Sequence, residues 1–293
     1  MMRYVSFAVG VFLLLEIQAA ELKIDNGVIE TVFVSPQGPP MELGSRFIRA
    51  GWLRSSHRHG SGKNFFRTET LFDDHPAFGC PQEILPALKL DGDRRLKIGV
   101  GIIGPDRVKP NWPELRISFP WQISILRLPS ETQINYRQTS GEHCGYAYEL
   151  TMEIVIPENQ PEIRYCLTLR NCGERTISFS TYVHPFFPIP ENPETCWYCI
   201  SESSSEKRSR LLHSPEIQII SKDRLAEGCH KVEAGGFPES DDRVSIASDT
   251  PLMKTVFYRR KFLCFSVEPF VQRKIEPGQK TSWKWILTFQ KNS

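Results

Sequence analysis

The sequence lacks any large excess of charge of one sign. Its 36 lysines and arginines against 34 aspartates and glutamates leave a formal net charge of +2 over 293 residues. Surfaces that bind nucleic acid normally carry a clear basic excess, so composition gives no support for a nucleic-acid partner. Hydrophobic residues make up 40% of the chain and charged residues 24%, which is typical of a globular protein and not of a disordered or fibrous one.

Long hydrophobic runs are also missing after the first residues. Arg3 precedes an apolar stretch over residues 5–15, which is too short to span a bilayer well and is typical of a secretory signal peptide. Residues 17–19 offer a cleavage site. We therefore expect a signal peptide at residues 1–19, a secreted or periplasmic mature chain at residues 20–293, and no stable membrane insertion. An uncleaved membrane anchor is the alternative.

Long helical periods, internal repeats and Asn-X-Ser/Thr acceptors are absent, and period-2 alternation takes their place. Residues 148–156, 163–170 and 177–183 alternate apolar and polar side chains between short turns, which predicts a meander of antiparallel strands. Near the C-terminus the pattern predicts another hairpin: strands at residues 255–258 and 262–267 come first, and a turn at residues 276–279 then leads into a strand at residues 281–289. Further strands are expected at residues 28–34, 47–55, 96–103, 115–126, 131–137 and 217–220. The pattern predicts an all-β chain forming a single large antiparallel β-sandwich domain.

The cysteines give no clear second half of a metal site. Eight cysteines in the mature part permit disulfides in an exported chain, but a chain of this length also folds without them, so buried thiols are the alternative. Cys196 and Cys199 have the spacing of half a zinc site or of a redox pair. No second CxxC and no suitably spaced histidine pair accompanies them, so we expect a local disulfide or loop cysteines, and no metal.

Two ionisable residues stand in matching local settings. His184 and Glu268 each end a strand-like run, and each is followed by proline and an aromatic residue. Proline has no N–H for a central ladder, so we expect both residues at strand ends or at a sheet rim. Strand parity puts both off the most apolar stripes, as in a cleft on an open sheet face. They are therefore candidates for an acid/base pair, the alternative being a strand-end cap and a salt bridge.

The order of several motifs resembles that of the aldose 1-epimerases, or galactose mutarotases. A strand ending at Asn171, a glycine-containing turn and a further strand lead to His184 with its aromatic followers, and Glu268 comes shortly before the turn at residues 276–279 and an aromatic final strand. The resemblance covers about residues 150–289. It implies a galactose-mutarotase-like β-supersandwich in which glutamate takes the proton of the anomeric hydroxyl and histidine protonates the ring oxygen.

By position, the resemblance makes Glu268 the base and His184 the acid. The sugar ring would open, the C1–C2 bond would rotate, and the ring would close on its other face. The reaction needs one proton acceptor and one donor and no metal or organic cofactor. A monosaccharide or glycan is the implied substrate.

The first half departs from the mutarotase pattern. The Asn-Arg and His-Gly-Gly motifs that hold sugar hydroxyls in that family have no counterpart at the same spacing, since only the more compact segments 44–52 and 58–60 are present. A related branch is similar in its Gly-X-Arg-Phe segment, in an acidic segment at Glu83 and in residues 97–101.

Four residues of this first half are candidates for substrate binding. Arg46 and Arg49 can donate in a fork to hydroxyls or carboxylates, and Glu83 can accept from a sugar hydroxyl. His75 stands in an acidic turn that could bind hydroxyls or a cation. The alternatives are strand-edge charges and a plain surface turn, and for Lys97 we expect a salt bridge.

The function predicted from the sequence is an aldose 1-epimerase-like isomerase acting on a free sugar or a sugar end group. A non-catalytic carbohydrate-binding protein on the same sandwich is the first rival. A polysaccharide lyase or glycoside hydrolase is the second, although no clear second catalytic carboxylate motif is present.

Overall fold

The computed structural model describes residues 21–37, 44–61, 63–69, 78–105, 114–190, 193–200, 208–237, 242–260 and 263–291. These residues form strands almost throughout, with three single 3-10 turns at Pro193–Thr195, Leu211–His213 and Lys222–Arg224. The strands are β1 (Glu21–Asp25), β2 (Ile29–Val34), β3 (Leu53–Arg58), β4 (Gln82–Leu85), β5 (Leu88–Lys89), β6 (Arg95–Lys97), β7 (Gly101–Gly104), β8 (Glu114–Ser118), β9 (Gln122–Leu128), β10 (Glu131–Thr139), β11 (Tyr148–Pro157), β12 (Glu162–Asn171), β13 (Ile177–Val183), β14 (Phe187–Pro188), β15 (Trp197–Ile200), β16 (Arg208–Arg210), β17 (Ile217–Ser221), β18 (Lys231–Gly235), β19 (Asp242–Ser248), β20 (Lys254–Arg260), β21 (Cys264–Ile275) and β22 (Lys280–Lys291). The expected all-β class is confirmed.

Two large antiparallel sheets make up most of the described chain. The nine-stranded sheet has the order β16-β15-β18-β19-β22-β12-β11-β10-β9, and the six-stranded sheet has the order β17-β20-β21-β13-β4, with β14 paired to β21. Smaller sheets of three strands (β1-β2-β3) and four strands (β5-β6-β7-β8) accompany them. One apolar cluster contains residues from all four sheets, so the sheets share a core. The division into a signal peptide and a single domain stays a prediction, because residues 1–20 lie outside the described part.

The alternation of the sequence explains which face of each strand is buried. Strands β11 and β12 alternate buried and half-buried residues along most of their length. In β22, Trp283, Trp285, Leu287 and Phe289 share one face and are at most 1% exposed. Full burial of a side chain of this kind stabilises the fold by roughly 1.5–3 kcal/mol. The expected apolar face of the last strand is thus confirmed, and it lies against the core between the sheets.

The predicted meander and the predicted C-terminal hairpin are wrong in their pairing. Strands β11 and β12 do pair, but β12 then pairs with β22, whereas β13 pairs with β21 in the other sheet. The connections β12–β13 and β21–β22 are therefore two arches that cross between the sheets side by side. Buried Asn171 joins them: its side-chain amide donates to the carbonyls of Arg175 (2.9 Å) and Ile275 (3.2 Å), and its main chain bonds Gln279. Local alternation cannot distinguish an arch from a hairpin.

Two of the expected long strands are each split in two. Residues 96–103 form β6 and β7 with a turn at Gly99, whose φ of +80° suits glycine. Residues 115–126 form parts of β8 and β9, interrupted at residues 119–121. Strands β6 and β7 pair with each other, whereas β8 belongs to the four-stranded sheet and β9 to the nine-stranded sheet.

None of the eight cysteines forms a disulfide. Cys199 lies within β15, and Cys196 lies in the connection directly before it; both are buried. The expected local disulfide is therefore wrong, and the expected loop position holds for Cys196 alone. Burial raises the pKa of the Cys196 thiol to about 12, and its sulfur contacts the carbonyl of Gly236 at 3.1 Å. The two side chains therefore pack as small apolar groups.

Candidate active site

The polar face of the six-stranded sheet carries both residues of the suspected acid/base pair. Strand register places Glu83, Tyr182 and Phe270 in one row across β4, β13 and β21, and Glu268 shares the face of Phe270 two residues away. The alternate residues of β13 and β21 belong to the apolar core, namely Ile177, Phe179, Val183, Phe265, Val267 and Val271. The expected parity is confirmed, since neither His184 nor Glu268 lies on the apolar stripe.

His184 lies directly after β13, as its proline follower predicts. Its main-chain N–H donates to Pro81 at 2.8 Å, which keeps the residue against the start of β4. The imidazole stacks on Phe186, with ring centroids 4.3 Å apart, and meets the edge of Phe47 at 5.4 Å. These contacts leave His184 only 4% exposed and hold the ring in one plane.

Glu268 lies in the middle of β21, so its expected place at a strand end is wrong. The carbonyl of Phe270 accepts from the main-chain N–H of Met253, just before β20, so the main-chain groups of Phe270 point toward β20. Main-chain groups of successive residues point to opposite sides of a strand, so the nitrogen of Pro269 points the other way, toward β13. The β13 ladder ends at Tyr182 opposite Phe270. Pro269 thus occupies a point where the ladder needs no further donor, and the strand continues through it.

The two side chains contact each other directly. His184 Nε2 lies 3.2 Å from Glu268 Oε1, and the side chains are 6% and 9% exposed. Ser266 Oγ lies 3.4 Å from Nδ1 of the same imidazole. A ring whose Nδ1 faces a hydroxyl and whose Nε2 faces a carboxyl can carry its proton toward the carboxyl. We refer to these two residues as the His184–Glu268 pair.

Burial controls the protonation of the pair. Burial, and after it the positive charge of Arg46, lowers the pKa of His184 well below its usual range. Burial raises the pKa of Glu268 to about 8, although Arg46 opposes the rise. Surroundings of low dielectric penalise both charged forms, so the free protein favours a protonated Glu268 beside a neutral imidazole. One exchangeable proton therefore lies between two groups that can each give or accept it.

A buried polar network stands beside the pair. Glu83 Oε1 accepts from Lys97 Nζ at 2.6 Å, and Glu83 Oε2 accepts from Arg46 Nε at 3.1 Å and from the hydroxyl of Tyr182. Arg46 Nη2 also donates to Tyr182 at 3.1 Å. Burial opposes ionisation of Glu83, but the charges of Lys97 and Arg46 outweigh it and lower its pKa. The salt bridge expected for Lys97 is confirmed.

The structure brings some of the suspected substrate-binding residues together and separates others. Arg46 and Glu83 lie beside the His184–Glu268 pair. Arg49 is buried and donates from Nη1 to Ser118 of β8 at 2.7 Å, in the four-stranded sheet. His75 lies outside the described residues, so its role stays a prediction.

Sequence reasoning missed three side chains of the site. Tyr182 and Ser266 share strand parity with the His184–Glu268 pair, so the same period-2 argument could have added them. Phe47 contacts His184 from a segment more than a hundred residues earlier, and no local pattern indicates such a contact.

The described residues contain no cluster of three or more histidine, cysteine, aspartate or glutamate side chains suited to a metal ion. The same residues contain no helix with the length and hydrophobicity of a membrane span.

Comparison with known proteins shows the fold. No protein-family model matches the sequence, and no curated protein matches it significantly. Solved structures match over nearly their whole length: a galactose mutarotase-like protein from Clostridium acetobutylicum (TM-score 0.64, 11% identity, 92% of this chain and 94% of that one), a galactose mutarotase related enzyme from Lactobacillus acidophilus (0.62, 12%, 93% and 98%), and the GalM/aldose epimerase homologue from C. elegans (0.58, 10%, 93% and 99%). The chain therefore has the galactose mutarotase-like fold, as the order of its motifs predicts.

Proposed function

We propose that the protein is an aldose 1-epimerase-like enzyme, with Glu268 as the base and His184 as the acid. The observation that carries the proposal is the 3.2 Å contact between the two side chains on the polar face of a mutarotase-like sandwich. The anomeric hydroxyl oxygen and the ring oxygen of a pyranose are bonded to the same carbon. Two groups that lie side by side can therefore reach both oxygens of one bound sugar.

The His184–Glu268 pair can supply both proton transfers of a reversible ring opening. Glu268 takes the proton of the anomeric hydroxyl while His184 gives a proton to the ring oxygen, which leaves an open-chain aldehyde. Rotation about C1–C2 and the reverse transfers restore both residues. These roles require carboxylate beside imidazolium, a state that burial disfavours in the free protein. Sugar hydroxyls that donate to the carboxylate, together with the charge of Arg46, favour it once the substrate is bound.

The direct test follows anomer exchange by NMR for several aldoses, with the wild type, E268Q and H184N. Acceleration over buffer by the wild type, lost in both variants, supports the proposal. Acceleration that persists in E268Q, or none with any aldose, contradicts it. Analysis of oligosaccharide products separates the rival classes, since a lyase or hydrolase shortens the chain and an epimerase does not.

The nine-stranded sheet favours a second candidate function, carbohydrate binding without catalysis. Its outer face holds a groove of about 640 Å³ lined across β9 to β12 by Gln122, Ser124, Asn135, Arg137, Thr151, Glu153, Cys166 and Thr168, with parts of Ile123, Tyr136 and Met152. The strand register places these residues in rows that run across the strands, so that neighbours within a row are about 4.8 Å apart. Amides, hydroxyls and charged groups at regular spacing can bond the hydroxyls of a glycan chain.

Calorimetry with a neutral cello- or malto-hexaose tests the groove. The double variant N135A/E153A should weaken binding at least tenfold, whereas E268Q should bind like the wild type. Arg170→Ala, on an exposed position of β12, is the control for a general surface change. Binding lost in E268Q and kept in N135A/E153A would assign the glycan to the His184–Glu268 pair.

A further inference from the structure

The polar network beside the His184–Glu268 pair contains a buried ion pair, formed by Glu83 and Lys97. The side chains of Glu83 and Lys97 are 4% and 5% exposed, and their charged atoms lie 2.6 Å apart. Buried ion pairs often contribute little to stability compared with apolar residues of similar volume, because desolvation offsets their attraction. A role in placing another group is therefore a better explanation than stability alone.

The group that the ion pair places is the Arg46 guanidinium. Glu83 Oε2 accepts from Arg46 Nε at 3.1 Å, while Lys97 occupies the other carboxylate oxygen of Glu83. Tyr182 receives a hydrogen bond from Arg46 Nη2 at 3.1 Å and donates to Glu83. Two of the guanidinium nitrogens are thereby bonded to side chains of two paired strands, β4 and β13.

Held in this way, Arg46 lies next to the reacting residues. Its guanidinium lies 4.7 Å from the ring centroid of Phe47, and the edge of Phe47 meets the His184 imidazole. Tyr182, the other partner of Arg46, lies 6.0 Å from that imidazole between ring centroids. The positive charge of Arg46 lowers the pKa of both His184 and Glu268.

We propose that Glu83 and Lys97 are positioning residues, which hold Arg46 beside the His184–Glu268 pair so that its charge stabilises the Glu268 carboxylate. This inference rests on the proposed function for its effect on rate, but the placement of Arg46 is independent of it. Both oxygens of Glu83 accept from protein groups, and one of these bonds fixes Arg46 through its Nε.

A cycle of variants tests the anchor without measuring activity. The titration of Glu268 is followed by ¹³C NMR of its labelled side-chain carboxyl, with Arg46, Glu83, Lys254 and the His184 ring as the ionisable groups around it. In the wild type, R46M should raise the midpoint by about one pH unit, because a nearby cation favours the carboxylate. In the E83L/K97M background, R46M should shift it by less than a third as much.

Two further variants separate positioning from general damage. E83L/K97M exchanges the buried ion pair for apolar side chains and should fold. E83Q/K97M keeps an oxygen that can accept from Arg46, and its neutral amide does not need the charge of Lys97 to balance it, so it should restore most of the R46M shift. Arg95→Met, on an exposed position of β6, is the control for loss of a cation from the same strand. An equal R46M shift in all backgrounds would overturn the proposal.

The same variants give a cycle on kcat/KM for anomer exchange. If Glu83 and Lys97 act through Arg46, then E83L/K97M and R46M each lower kcat/KM, and their combination lowers it no further than R46M alone within about threefold. Losses that multiply would mean that the ion pair acts on structure and would overturn the proposal. If the wild type shows no exchange at all, the proposed function fails while the NMR cycle still decides the placement of Arg46.

Discussion

Replacement of Glu268 by glutamine should change how stability depends on pH. Burial holds the pKa of Glu268 at about 8 in the folded chain, against an ordinary value of 4.5. The folded state therefore binds this proton more tightly than the unfolded state, and the wild type loses the corresponding stability as pH rises from 4.5 to about 8. Glutamine has no such proton, so E268Q keeps its stability over this window.

The size of the effect follows from the difference between the two pKa values. Each unit of pKa corresponds to about 1.4 kcal/mol, so the wild type should lose on the order of 5 kcal/mol relative to E268Q over the whole window. His184 titrates in the opposite sense. Its lowered pKa gives a contribution that is present above its ordinary pKa and is lost as pH falls. Both proteins retain His184, so this contribution largely cancels in the difference.

Urea unfolding at a series of pH values from about 4 to 9 measures the difference in the free energy of unfolding. E268A is the matched control, because it removes the same titrating group and also side-chain volume. Its stability should depend on pH as that of E268Q does, but should be lower than that of E268Q at every pH. A difference between wild type and E268Q that does not change with pH would refute the argument that Glu268 is buried in its neutral form.

Three other substitutions follow from contacts near the site. Gly79 has a φ of +68°, and a Cβ there would lie 2.2 Å from the carbonyl oxygen of Leu53, so G79A should lower the free energy of unfolding by about 3 kcal/mol or more. G60A should lower it by only about 1 kcal/mol, because φ is +81° there but the space is open. Equal decreases in melting temperature for the two variants would contradict this. N171A removes three side-chain hydrogen bonds at the arches and should lower the free energy of unfolding by about 3 kcal/mol; urea unfolding that matches wild type would count against it. S266A should lower kcat about tenfold or less with KM unchanged, because Ser266 orients the His184–Glu268 pair through hydrogen bonds to both side chains, whereas complete inactivity would indicate a nucleophile.

Strand parity was the most informative property of the sequence. It depends only on local order along the chain, so it correctly placed His184 and Glu268 off the apolar stripes and identified the buried face of β22. Parity carries no information about which strand lies alongside. The same alternation is compatible with a hairpin and with an arch. The expected pairing of β13 with β12 is therefore wrong, and β13 pairs with β21.

The rest of the site is assembled from distant segments. Glu83 is separated from Arg46 by 37 positions and from Lys97 by 14, and none of these residues stands in a motif that specifies its partner. The place of Glu268 inside a strand was missed because proline usually ends a ladder. Here the neighbouring strand ends first, which is a property of the sheet and not of the local sequence.

The paired arches have a mechanical consequence for the site. Strands β13 and β21 bring in His184 and Glu268, and both enter the six-stranded sheet from adjacent strands of the other sheet, β12 and β22. Asn171 ties the two connections together. If the sheets slide over each other as a substrate enters, both residues travel with the same pair of strands. The distance between His184 and Glu268 should therefore stay unchanged when the two sheets move relative to each other.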